Sequence, residues 1–429
     1  MSAAFDTIAE RYVSMVLADY PVSATFLGVH DHDDELGEFG PDAQDTKNEH
    51  KRSLLRDLEA LSLDSEALEV RVDAAALRAS LRRSVFEHEE LRTHERSPNG
   101  YVGTALSGCN ELILGDFAPL PERARSLVGR LEQVPGVLEA MRENVTNPPS
   151  VFATVGAEMA RGGVGFARTV VPGLSEEVPE LGDDLVRAGE AAAEAFDAAA
   201  DYLDGFAEGA DVPFHVGRER YEWLLREYHM LEMDSGDLRA LGTRMLAETR
   251  ESMEVVAREI DDSSTTHEIV ERKKDDHPTA TELRNRYTTE MARAREFVVA
   301  NDLVTVPEGE ELDVIDTPVF FRKLLPYAAY HPAGPMEKKQ RGMFYVTPVD
   351  SSLSPDDQEK QLRGHSVHTI PVIALHEAYP GHHLQLVRSN QCDRMIRRFL
   401  WNNVFIEGWA LYCCLLYTSD AADECCGVG

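Results

Sequence analysis

The sequence predicts a large, mainly α-helical protein, and three observations predict it. Apolar residues recur at helical spacing over long stretches, helix-start signatures recur along the chain, and the best strand candidate is a single short aromatic segment. At 429 residues and 47.8 kDa the chain can bury one large core or a few smaller ones, so its stability requires neither a metal nor disulfides.

In chain order, Phe5, Ile8, Tyr12, Val13 and Val16 mark an amino-terminal helix, and no basic cluster followed by an apolar run suggests a secretory signal. Asn147-Pro148-Pro149 breaks two helical segments. Asp183 to Phe206 is alanine-rich with a narrow apolar stripe, and Asp237 to Ile260 places Leu238, Leu241, Met245, Met253 and Val256 along another helix. Asp261 to Pro278 is polar and aperiodic and reads as an exposed loop. Thr279-Ala280-Thr281-Glu282 is a capping-box pattern opening a helix to about Val299. Gly342 to Pro348 is the strand candidate, and Ser354-Pro355-Asp356-Asp357 starts a short helix with a cap and early acids. Thr369 and Pro371 open a helix from Val372 to Val387, and another runs from Asp393 through Leu411. No repeat of fixed period divides the chain, so residues 1–413 read as a single domain. The run from Cys414 to Glu424 neither continues the last helix's stripe nor caps it and resembles a translated sequencing adapter. Residues 414–429 are therefore expected to be a non-native tail, on a protein cut near Cys413.

The chain carries 76 acidic and 43 basic residues, a net charge of -33, with 8 lysines beside 35 arginines. That balance argues against a nucleic-acid partner and suggests a hydrated carboxylate surface suited to strong salt, as in a halophile's cytoplasm. No stretch approaches the roughly 20 apolar residues of a membrane span, so a cytoplasmic protein is expected. Four of the six cysteines crowd the end of the chain, and Cys109 and Cys392 alone make no disulfide framework.

Chemistry concentrates in His376-Glu377-Ala378-Tyr379-Pro380-Gly381-His382-His383 and in Glu407-Gly408-Trp409. Hydrolytic zinc sites commonly use two histidines and a glutamate with one position open to water. His376 is the first candidate ligand, and Glu377 beside it is the candidate general base. The usual His-Glu-x-x-His spacing fails, because Pro380 stands where the second histidine belongs. On an unbroken helix His383 shares the face of His376 but lies about 10.5 Å away along the axis, too far to share a metal. Pro380-Gly381 allows a bulge that absorbs two residues and draws His382 back. His382 is thus the favoured second ligand, with His383 the alternative or a substrate-facing group, and Glu407 the third ligand. The expected cofactor is Zn2+. A di-iron carboxylate bundle would need two Glu-x-x-His motifs, and the sequence has none.

The two motifs, His376 to Gln385 and Glu407 to Tyr412, resemble the signature of the domain-of-unknown-function 885 family, and the likeness extends through Pro21 to Gly28, Thr317-Pro318 and Gly342 to Val346. The resemblance implies a zinc metallopeptidase-like protein related to neurolysin-type gluzincins, with a deeply clefted helical fold and a short sheet beside the zinc helix. It also implies that Gly342 to Thr347 is the edge strand that pairs with a peptide, and that oxyanion-stabilising residues lie beyond Cys413.

The expected function is a zinc-dependent peptidase with Glu377 as base, acting on peptides and binding neither nucleic acid nor membrane; the oligomeric state is left open. Two alternatives stand beside it: a non-catalytic helical binding protein whose structural or relic zinc is held by His376, His382, His383 and Glu407, and a zinc hydrolase of a small-molecule amide or ester. Among weaker features, His30 to Asp34 reads as a solvated loop and Arg161 to Gly165 as a flexible turn. His331 and Arg341 are candidates for a substrate carboxylate, and His365 and His368 for capping or the cleft.

Overall fold

A computed structural model describes residues 3–207, 212–322 and 325–417. The architecture is mainly helical with one small sheet. The amino-terminal part stacks helix on helix. Helix α1 (Ala3–Asp19) buries Phe5, Ile8 and Tyr12, one turn apart, against α3 (Pro41–Glu59) and α4 (Leu68–Glu89), while α2 (Pro21–Leu27) begins at a proline and ends at Gly28 with φ of 88°. After the single turn α5 (Thr93–Arg96), helices α6 (Asn99–Leu114), α7 (Leu120–Asn144), α8 (Ser150–Gly165), α9 (Val171–Glu177) and α10 (Gly182–Ala207) enclose the largest core.

Helix α10 realises its predicted stripe: Leu185, Ala188, Ala192, Phe196, Ala199 and Leu203 are buried, and the alanines let α7 and α8 approach closely. The break at Asn147-Pro148-Pro149 separates α7 from α8 as expected. Arg161 to Gly165, expected to be a flexible turn, is instead the last part of α8. Of its glycines, Gly163 has a packing reason: it faces the Phe196 ring of α10 and leaves no room for a side chain.

Helix α11 (Arg218–Trp223) leads to α12 (Ser235–Ile260), whose N-cap Asp234 accepts from the Gly236 and Asp237 amides at 2.7 and 2.9 Å. The stretch expected to be a loop contains α13 (Thr266–Lys274). A Thr265–Glu268 capping box starts it and Ile269 anchors it, a single buried residue giving no period to read. Glu282 bonds back to the Thr279 hydroxyl and amide, and α14 (Leu283–Ala300) follows.

Strands β1 (Glu310–Asp316), β2 (Ala328–His331) and β3 (Gln340–Val346) form a sheet in the order β1-β3-β2, with β1 parallel and β2 antiparallel to β3. The predicted strand exists, but it is central rather than an edge; the edge on that side is β2. Phe344 and Val346 project from one face of β3 onto Leu283, Tyr287 and Ile370. A Ser354 cap starts α15 (Pro355–Arg363), its hydroxyl accepting from the Asp357 amide at 3.2 Å. Each of the last two predicted helices is divided, into α16 (Ile370–Glu377) and α17 (His382–Asn390), and α18 (Met395–Phe399) and α19 (Asn403–Tyr417). Helix α19 continues past Cys414, into the expected tail; residues 418–429, with Cys425 and Cys426, lie outside the described residues. Among the described residues Cys109, Cys392 and Cys413 are free thiols. No described helix is long and apolar enough to cross a membrane.

Candidate metal centre

The octad folds as a helix, a break and a new helix. His376 and Glu377 end α16, and His382 and His383 begin α17. Between them the Gly381 amide reaches back to the Leu375 carbonyl at 3.0 Å and the Leu384 amide to the Ala378 carbonyl at 3.3 Å. Each bond spans six residues where an α-helix spans four, so two residues are absorbed. A Cβ on Gly381 would overlap the carbonyl oxygens of Leu375 and His376, so this crossing admits glycine alone. From α19 the Trp409 indole donates to the Pro380 carbonyl at 2.8 Å, pinning the break from outside.

The result sets the His376 and His382 rings edge to face, 4.6 Å apart. Glu407 comes in from α19 with Oε2 at 3.5 Å from the Nε2 of each. Ligand atoms 2.0–2.1 Å from one tetrahedral metal stand about 3.3 Å apart, so the two separations from Glu407 are close to those a zinc ion requires. Glu377 adds an oxygen, its ligand atom and those of His376 and His382 lying within 4.8 Å of one another. Burial pushes both imidazoles below the ordinary histidine range, the Glu407 charge opposing at each and His376 reinforcing the fall at His382. Neutral imidazole is the form that ligates metal. Two neutral nitrogens and flanking carboxylates form a donor set that fits a zinc-class dication.

Glu377 has a different environment. Burial drives its carboxyl up to about 8, the Glu407 charge adding to the rise, while the Tyr330 amide of edge strand β2 donates to it and opposes the shift. A carboxylate with a raised proton affinity suits a group that must take and return a proton near neutrality.

His383 does not join the cluster. It is fully buried and turned toward the sheet, with Nδ1 3.1 Å from the Tyr330 hydroxyl and Nε2 2.6 Å from Glu310 Oε2. The break that rotates His382 toward His376 carries the next residue to the other side. Gly342 on β3 makes room for it, since a Cβ there would stand 2.9 Å from His383 Nδ1. Sequence reasoning missed Glu310, Tyr330 and Tyr379 as neighbours of this site. Glu310 lies in an acidic run that looks like solvated surface, and Tyr330 stands outside both motifs, whereas Tyr379 and Trp409 lie inside them without a signal of the bonds they make.

The weaker candidates are held elsewhere. His331 faces Glu111 at 3.4 Å, and Arg341 pairs with Asp313 at 2.6 Å, so both side chains already have carboxylate partners. His365 is buried beside the Tyr287 hydroxyl at 3.0 Å, and His368 sits 3.6 Å from Asp276. The His30 to Asp34 segment is more than a solvated loop. Asp33 is buried, accepting from Thr25, and His30 bridges Asp33 at 3.0 Å and Glu337 at 3.1 Å.

Comparison with known proteins places the fold. The family model described as "Bacterial protein of unknown function (DUF885)" matches residues 21–417. No curated protein matches the chain. Among solved structures, the "putative lipoprotein of unknown function" of Shewanella oneidensis superposes with a TM-score of 0.72 at 20% identity, covering 97% of this chain and 77% of that one. The "putative lipoprotein" of Colwellia psychrerythraea does so with a TM-score of 0.74 at 15% identity, covering 97% and 78%. These likenesses concern the fold.

Proposed function

We propose, from the premise that this chain belongs to the DUF885 family, that it is a zinc-dependent hydrolase acting on peptide bonds, of the neurolysin-like kind. The observation that carries the reading is the approach of Glu407 to both His376 and His382, beside the half-buried Glu377. His376, His382 and Glu407 would hold the ion. When bound, zinc would supply Lewis-acid polarisation of the scissile carbonyl and a more acidic water.

The remaining work falls to the protein. Glu377 accepts the proton of the attacking water and returns it to the leaving amine, and its half-buried carboxyl is tuned toward that exchange. The Tyr330 amide orients that carboxylate. Strand β2 lies at the sheet's edge beside Glu377, which supports an extended peptide backbone as substrate. A structural zinc site would fill four positions with protein groups. Commitment of His383 to Glu310 and Tyr330 removes one expected fourth ligand and favours an open site.

The test is Glu377→Gln, assayed on a peptide library beside simple amide and ester substrates. The variant is expected to retain zinc and lose about 10²- to 10⁴-fold in hydrolysis. Undiminished activity would sink the role of Glu377. Cleavage confined to small amides or esters would reassign the substrate class, and no cleavage by zinc-loaded wild type would favour a binding protein.

A further inference from the structure

Glu310 opens β1 with its side chain only 2% exposed. Its Oε2 accepts from the Tyr379 hydroxyl at 2.5 Å and lies 2.6 Å from His383 Nε2, while Oε1 accepts from Arg295 Nε of α14 at 2.9 Å. Tyr379 and His383 are the two ends of the segment that carries His382. A single carboxylate oxygen therefore holds the break on both sides of the second candidate ligand, and Arg295 fixes the carboxylate itself.

His382 needs such a brace. Ligand histidines are ordinarily oriented through a hydrogen bond at the ring nitrogen that faces away from the metal. The buried Nδ1 of His382 has no hydrogen-bond partner among the described residues. Its aim must come from the backbone on either side, and that backbone is what Glu310 and Trp409 hold.

We infer that Glu310 is the positioning residue for the second zinc ligand, fixing His382 toward His376 and Glu407 through Tyr379 and His383. The inference rests on the zinc reading and adds to it a residue 66 positions upstream of His376, on another element. Burial alone would push the Glu310 carboxyl up, but bonds from His383, Tyr379 and Arg295 outweigh it and hold it below the ordinary glutamate range. The brace is thus an anion, and charged acceptors make the firmer hydrogen bonds.

The experiment compares wild type, Glu310→Gln, Glu310→Asp and Tyr379→Phe. Zinc affinity is measured by chelator competition, the visible spectrum after Co2+ substitution, and thermal unfolding without metal. Glutamine keeps the size but sets an N–H donor against groups that themselves donate. A fall in zinc affinity of about 10- to 100-fold is expected for Glu310→Gln, with an altered Co2+ spectrum and partial recovery in Glu310→Asp. Tyr379→Phe removes one oxygen, preserves the ring, and should show about a tenfold fall; it decides the matter if Glu310→Gln does not fold. Folded Tyr379→Phe and Glu310→Gln proteins with wild-type affinity and spectrum would overturn the positioning role alone. Absence of zinc binding by wild type would overturn the zinc reading and this inference together.

Discussion

Helices α10 and α12 are each 26 residues long and each carries an apolar stripe, yet only one of them is a core helix. On α10 the stripe is buried along its length. On α12 Met245, Met253 and Val256 stand 49%, 45% and 52% exposed, and Ala257 is the one residue recorded as buried. The difference lies in the neighbours: α7 and α8 flank α10, whereas α12 touches the short α11 and α13. A helical period tells which face is apolar. It does not tell whether another surface removes that face from water, and only that removal stabilises the fold.

Substitutions can break or sharpen this contrast. The largest effect is expected at Phe196, which is fully buried between α10 and α8. Phe196→Ala should cost about 3–5 kcal/mol by urea unfolding, and a loss below about 1 kcal/mol would mean α10 is no better anchored than α12.

A middle case lies where the amino-terminal helices meet the sheet, at a polar contact. Burial lowers the His30 pKa, but hydrogen bonds to Asp33 and Glu337 outweigh it and raise it to about 9. A folded pKa above the unfolded value stabilises fully below about pH 6.5 and loses that contribution as pH rises through 9. Wild type should therefore lose on the order of 1 kcal/mol across this window, relative to His30→Gln. Parallel stability curves for the two proteins would remove His30 from the account.

The smallest effect is expected on α12. Val256→Lys should change stability by no more than about 0.5 kcal/mol. A loss several times larger would show that this face is covered in solution and that the contrast with α10 is false.

Much of the helical scaffold was legible because caps, prolines and apolar periods are local signals. The break at Pro380-Gly381 was legible for the same reason, as was the convergence of His376, His382 and Glu407 in outline. The choice between His382 and His383 was less so, because it turns on Glu310 and Tyr330, 73 and 53 residues away in sequence. Strand β1 was hidden by its charges: Glu310 looks like surface until its donors are seen. Strand β3 was read as a strand but given the wrong place in the sheet, since position within a sheet depends on partners that a single segment does not specify.

The crossing at Gly381 has a consequence for how this protein can vary. On α12 many sequences are nearly equivalent, so descendants of one gene can drift there by single steps without losing the fold. At Gly381 even the smallest side chain collides with two carbonyl oxygens, so no single-residue replacement preserves the local geometry. That one position ties the octad to glycine, while the exposed face of α12 leaves room for single replacements.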